Sequence, residues 1–337
     1  MLSGAEKPRL PEHLRAPPDS FGLVFCAYAL LLFLIPAALS IFLLEGLSSP
    51  WLIMILLLPL WLVAQQGIHL LGMVGHEGLH GNLHRNRLLS VHLGLFFSSM
   101  AISYLVTGYF VTHWHHHLYT NTEDDPDVEA CSKYNTFWSR CFLSRMHLTK
   151  IYRKSTYQLA FGREFTTDHL PFGLRQLRTF ARLNLLYQLF WIAAYALVGM
   201  IDVMWLFVAI IVPHLGAVIA SGLRVYVEHA GTDAEPGREA RSFSSRLWTI
   251  LFFGNNLHLE HHLYPNVPCH RLPALHEWLK KQGFFENHGS YIEPRSSAVF
   301  KYAGADYPYS HADSRLEAKP AILLGSLRLT QPTSTRD

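Results

Sequence analysis

Four stretches, residues 21–44, 51–73, 183–201 and 203–223, are each long and apolar enough to cross a bilayer, and nothing else limits the fold of this 337-residue chain as strongly. A bilayer core of roughly 30 Å takes about 20 apolar residues as a helix, because backbone polar groups there find partners only inside the helix. The stretches fall into two pairs, joined by residues 45–50 and by Asp202. Neither pair contains Lys or Arg before Arg224, so the positive-inside rule turns both connectors outward and leaves the N-terminus, the middle and the C-terminal third cytoplasmic. Basic residues before residue 21 give the start a signal-peptide look. The run is too long for that and lacks a small-residue cleavage site, so it counts as a span, with Pro36 expected to kink it.

Composition agrees. Charged residues make up 16% of the chain, against about 25% in an ordinary soluble domain, which excludes disordered, collagen-like and nucleic-acid-tail classes. A net charge of +3 is too weak a field to argue for a nucleic-acid partner. Cys26, Cys131, Cys141 and Cys269 fit no zinc-ribbon or CxxC spacing and indicate only a reducing compartment.

A fifth apolar stretch, residues 88–110, poses a conflict: a full crossing would put the histidines before and after it on opposite sides of the membrane. It is expected to be a re-entrant or interfacial hairpin that turns near Ser98 and Ser99, with its backbone buried in protein. Residues 247–253 are too short to cross and read as interfacial. The expected fold class is therefore an all-α integral membrane protein: a cytoplasmic N-terminal segment (1–20), a membrane domain (21–290) of four spans in two hairpins under a helical cytoplasmic cap, and a flexible C-terminal tail (291–337).

The 21 histidines nearly equal the 25 acidic residues, and few folds need so much imidazole for packing. Residues 76–80, His-Glu-Gly-Leu-His, put His76 and His80 on one helical face. In residues 113–117 the i, i+3, i+4 spacing makes His113, His116 and His117 converge while His115 points away. The same spacing unites His258, His261 and His262, and His229 follows the fourth span. Each group lies beyond the cytoplasmic end of an even-numbered span or on chain following one, so all meet in one pocket. Nine imidazoles exceed what one tetrahedral zinc takes and suit two metal ions with open positions. Imidazole alone leaves iron, zinc, copper and nickel open. His84 shares the first face but reads as an ordinary residue. His69, His92 and His214 read as buried polar residues with hydrogen-bonded partners, and His13, His147, His169, His270, His276, His288 and His311 as surface positions.

Residues 76–80, residues 113–117 with the following Thr120–Asp127 stretch, and Asn255-Asn256-Leu257 leading into His258–His262 and Leu263-Tyr264-Pro265 together resemble the membrane fatty acid desaturase superfamily, from about residue 50 to 282. The resemblance implies a diiron centre that activates molecular oxygen, with ligands His76, His80, His113, His116, His117, His229, His258, His261 and His262. Glu77 stands where aspartate is common in that family. Carboxylates or amides expected to orient the ligands are Glu77, Asp125, Asp127, Glu228 and Asn256. Glu260 and Asp124 read equally well as solvated charge. No HPGG haem motif occurs, so electrons are expected from a separate ferredoxin or cytochrome b5 system.

On that reading the protein is an oxidoreductase that introduces a double bond into a fatty acyl chain. The alternative on the same scaffold is a hydroxylase or ketolase of a lipid, carotenoid or small amphipathic metabolite. Two rivals come from other classes. Residues 76–80 match HExxH, which would make a membrane zinc protease with Glu77 as base but leaves the other clusters unused. A metal transporter or sensor would hold its ligands nearer the bilayer midplane.

Overall fold

The computed structural model describes residues 7–15, 21–102, 104–163, 165 and 170–305. Two long helices open it, α1 (Phe21–Gly46) and α2 (Pro50–His80). Pro50 suits the first turn of α2, where its missing N–H has no helical partner to lose. Gly81 stops α2 at φ 82°, its N–H turned back to the carbonyls of Glu77 and Gly78. The two helices touch backbone to backbone at Gly67, where a Cβ would stand 2.4 Å from the nitrogen of Phe33.

Helix α3 (Arg87–Ser98) begins at Asn86, whose side chain accepts from the N–H of Leu89, and lies along the end of α2 through a second close approach, Gly78 on Gly94. After Ser98 the chain leaves helix and re-enters it as α4 (Val106–Tyr119). The expected turn at Ser98 and Ser99 is therefore present, and its exposed backbone is satisfied by side chains of α6 (Leu174–Ile201). Gln188 donates to the Ser99 carbonyl at 2.6 Å, Tyr195 to that of Met100 at 3.0 Å, and Trp191 to that of Phe96 at 3.0 Å. Asn184 accepts from the N–H of Thr107 and donates to the Ser99 hydroxyl. Non-helical backbone among apolar helices persists only when protein groups complete its hydrogen bonds, and here four polar residues on one face of α6 do so.

Between α4 and α6 runs α5 (Arg145–Ala160), entered through wide helical turns at Ser139–Ser144. Its backbone meets α4 at Gly108, where a Cβ would lie 1.8 Å from the Tyr152 carbonyl oxygen. Asp202 separates α6 from α7 (Val203–His229) and caps the latter by accepting from the N–H of Met204 at 2.6 Å. Among the described residues, four helices are thus apolar and long enough to span a membrane. Their outer faces are bare hydrocarbon: Phe42, Trp51 and Met200 are 70%, 82% and 81% exposed.

Three expectations shift. Helices α2 and α7 run on beyond residues 73 and 223 to His80 and His229, and α6 starts at Leu174 rather than 183. Arg175, Arg178 and Arg182 make the first turns of α6 too polar to read as bilayer-crossing, yet propagation of an existing helix needs only one more backbone bond per residue. The all-α expectation misses a two-stranded parallel pair, β1 (Arg241–Phe243) with β2 (Tyr291–Glu293), Ser242 lying opposite Ile292. Parallel strands need a long crossover, and residues 244–290 supply it, including α8 (His258–Leu263). The stretch assigned to a flexible tail starts with β2 and continues through a short helix, Val299–Ala303. Arg140 donates to the carbonyls of Ala303 and Ala305, and the Arg241 guanidinium sits 3.5 Å over the Tyr302 ring. Residues 306–337 lie outside the described residues.

Candidate metal centre

Four helix ends deliver the imidazoles. The last turns of α2 carry His76 and His80, α4 carries His113, His116 and His117, α7 ends on His229, and α8 carries His258, His261 and His262. All nine are between 1% and 8% exposed. They sort into two quartets whose candidate ligand atoms lie within 4.8 Å of one another: His76, His80, His113 and His261 in the first, His116, His229, His258 and His262 in the second. His117 stands at the junction, its Nε2 2.9 Å from that of His113 and 3.0 Å from that of His261, its ring 4.4 Å from that of His262.

The spacing fits a metal. Bonds of about 2.1 Å from one ion to several imidazoles put neighbouring ligand nitrogens about 3.0–3.4 Å apart. The Nε2 of His76 lies 3.0 Å from those of His113 and His261, and the Nε2 of His258 lies 2.9 Å from that of His229 and 3.1 Å from that of His262. Both ring nitrogens of His80 and the Nδ1 of His117 are buried with no hydrogen-bond partner. An orphaned buried nitrogen costs about 1–3 kcal/mol, a cost that ligation of one nitrogen removes.

Around the quartets, outward ring nitrogens are held by neighbours. His76 Nδ1 lies 3.1 Å from Glu77, whose other oxygen accepts the Cys269 N–H at 2.9 Å. His116 Nδ1 lies 2.9 Å from both oxygens of Asp125, which also accepts the N–H groups of Asn121 and Asp127 at 2.8 Å. His229 Nδ1 points to the Glu239 carbonyl at 3.0 Å, and His262 Nδ1 to the Thr120 hydroxyl at 3.4 Å. Such partners fix ring orientation and leave Nε2 for the metal. Asp127 stands 3.9 Å from His116, and Glu228, clamped by Arg224 at 2.6 Å, stands 3.7 Å from His258.

Electrostatics divide the set. Burial, then the neighbouring imidazoles, hold His113, His117, His258, His261 and His262 well below the usual histidine range, so these rings are neutral with lone pairs available. Burial also works against charge on His116, but Asp125 and Asp127 together outweigh it and raise His116 to about 9.

The sequence profile of the family described as fatty acid desaturase matches residues 49–295, well over half of the chain. The chain belongs to the fatty acid desaturase family. No curated protein matches it. Membership and the four apolar helices make it an integral membrane protein of an oxidoreductase family.

The remaining expected positions are mixed. His115 stays out of both quartets, half-buried on the ring of Tyr119. His84 accepts from the N–H of Asn86 and also stays out. His69 pairs with Arg224 at 3.0 Å, and His214 faces the carbonyls of Ile210 and Met100. Asp124 is exposed. The Asn256 side chain makes no hydrogen bond to a histidine; its amide donates to the carbonyl of Phe243 and the hydroxyl of Thr249. Glu260 is fully buried rather than solvated, bonded to the Ser242 hydroxyl and to His276, itself buried rather than on the surface. This trio ties α8 to β1 and to the helix Leu272–Lys281, and no local pattern marks it, because its members lie up to 34 positions apart (276 − 242). His13 is exposed, His147, His270 and His288 are half-buried, and His169 and His311 lie outside the described residues.

Proposed function

We propose that this protein is an oxygen-dependent diiron oxidoreductase that removes two hydrogens from adjacent carbons of a fatty acyl chain. The observation that carries the reading is the pair of adjoining buried quartets with His117 at their junction, since one metal cannot use nine imidazoles. A pair of iron ions held by the nine histidines would supply the oxidising power for an unactivated C–H bond. Overall, two C–H bonds are lost and one C=C is formed while oxygen takes up two further electrons and two protons to give two waters. Those electrons come from a separate donor of ferredoxin or cytochrome b5 type, and the metal centre and both termini face the cytoplasm.

The chain's own groups prepare the site. Buried neutral imidazoles offer lone pairs without a proton to displace, while Glu77, Asp125 and the Glu239 carbonyl hold three rings in place. Ile68, Met73, Ala217 and Val225 with the rings of Tyr104 and Tyr109 line the space beside the imidazoles and give an acyl segment apolar contact there. A zinc-protease reading finds no support at Glu77, whose two oxygens are engaged by His76 Nδ1 and the Cys269 N–H.

The test compares lipids of host cells making the wild type or His117→Ala, supplied with iron and a reductase system. Products lighter by two hydrogens establish the desaturase. Products heavier by one oxygen move the assignment to hydroxylase, and purified protein binding fewer than two irons overturns the diiron reading.

A further inference from the structure

A cavity of about 110 Å³ opens beside both quartets, against His76, His113 and His261 of the first and His116, His229 and His258 of the second, between α2, α4, α7, the turn after α3 and the start of α5. Its wall is mixed: Ile68, Met73, Ala217 and Val225 are apolar, while phenol and guanidinium groups stand among them. Tyr109 stacks on His113 at 4.8 Å and meets Tyr104 at 5.1 Å and Tyr152 at 5.3 Å, so three phenol rings line one side. Beyond them the guanidinium of Arg145 lies 5.3 Å from the centre of the Tyr104 ring and 5.9 Å from that of Tyr152. Only two ring contacts separate Arg145 from a candidate metal ligand.

The Nε of Arg145 is buried and has no acceptor. The other arginine of the wall, Arg224, differs: Glu228, His69 and the Asn255 carbonyl take its donors. Asp127, a carboxylate of the same wall, forms no ion pair within 4.0 Å with Arg145 and stands beside His116. A planar guanidinium left without an acceptor at a cavity wall is suited to a carbonyl or carboxylate oxygen of a ligand.

We propose that Arg145, flanked by Tyr104 and Tyr152, anchors a carbonyl oxygen of the substrate, free acid or ester or amide, in the cavity beside the two quartets. The inference rests on the oxidoreductase reading and narrows it: the substrate carries a carbonyl oxygen that Arg145 holds, at a fixed place relative to the quartets. An unsubstituted alkyl segment would leave the Arg145 donors unmet.

The test is calorimetric titration of the metal-loaded protein in nanodiscs with hexanoate, hexanamide and hexane. Hexanoate or hexanamide is expected to bind measurably better than hexane, with affinity falling about tenfold or more in Arg145→Gln, less in Arg145→Lys, and by a smaller factor in Tyr152→Phe. Stronger binding of hexanoate than hexanamide identifies the free acid as the form recognised; the reverse identifies an ester or amide. Equal binding of hexane, no binding of any probe, or unchanged affinity in Arg145→Gln overturns the anchor. Circular dichroism and metal content of Arg145→Lys separate loss of the anchor from loss of the fold. Probe binding lost in Arg145→Gln in a protein that oxidises no lipid keeps the anchor and overturns the oxidoreductase reading, whereas lipid oxidation with unchanged probe binding does the opposite.

Discussion

The two histidine quartets are built from one residue type yet sit in different electrostatic settings. Around the first, His113 and His261 are kept neutral by burial and by other imidazoles, and one carboxylate, Glu77, is shared between His76 Nδ1 and the Cys269 N–H. Around the second stand Asp125, Asp127 and Glu228, and their pull leaves His116 charged at neutral pH in the metal-free protein. Identical side chains therefore do not make identical settings, because charge beyond the imidazoles decides whether a proton would have to leave before a metal could bind.

Three measurements break or sharpen that contrast. The largest effect is expected from His261→Ala, since His261 faces His76, His113 and His117 at 3.0–3.3 Å: activity falls by about a hundredfold or more and bound metal drops by about one ion per chain, by elemental analysis. Full metal content with the activity lost would mean that the first quartet is not a metal site.

Next comes pH, read by titrating the protein with cobalt(II) and following its visible spectrum. Below about 9 His116 carries a proton that metal must displace, so affinity at the second quartet rises about tenfold per unit between pH 6 and 8. The first quartet, with His113 and His261 neutral well below that range, stays flat. Asp125→Asn removes the carboxylate that holds the His116 proton, so it flattens the second profile and weakens metal there by about 10–100-fold. Two parallel pH profiles in the wild type would erase the distinction.

The smallest effect belongs to His115→Ala, which alters a ring outside both quartets: less than about a threefold change in turnover, measured beside His117→Ala. Equal losses in the two variants would sink the division of residues 113–117 into inward and outward faces.

Much of the fold and of the ligand supply is legible in the amino-acid sequence. Apolar length marks the four spans, because a bilayer tolerates only backbone that satisfies itself. Helical periodicity separates His113, His116 and His117 from His115, because residues three and four apart share a face whatever surrounds the helix. These are local rules, and the local sequence decides them. Pairing is different. Which histidines make each quartet, that His261 joins α2 and α4 while its neighbour His262 faces α7, and that His117 sits between them depend on how four helix ends converge. Glu260 is buried only because Ser242 and His276 arrive from distant chain, and Arg145 lacks an acceptor only because α5 sets it against Tyr104 across the cavity. The sequence by itself determined the membrane helices and the supply of imidazole, since both follow from neighbours along the chain. The tertiary structure alone decided the partition into two sites and their unequal charge, since burial and Coulomb interaction depend on distance in space.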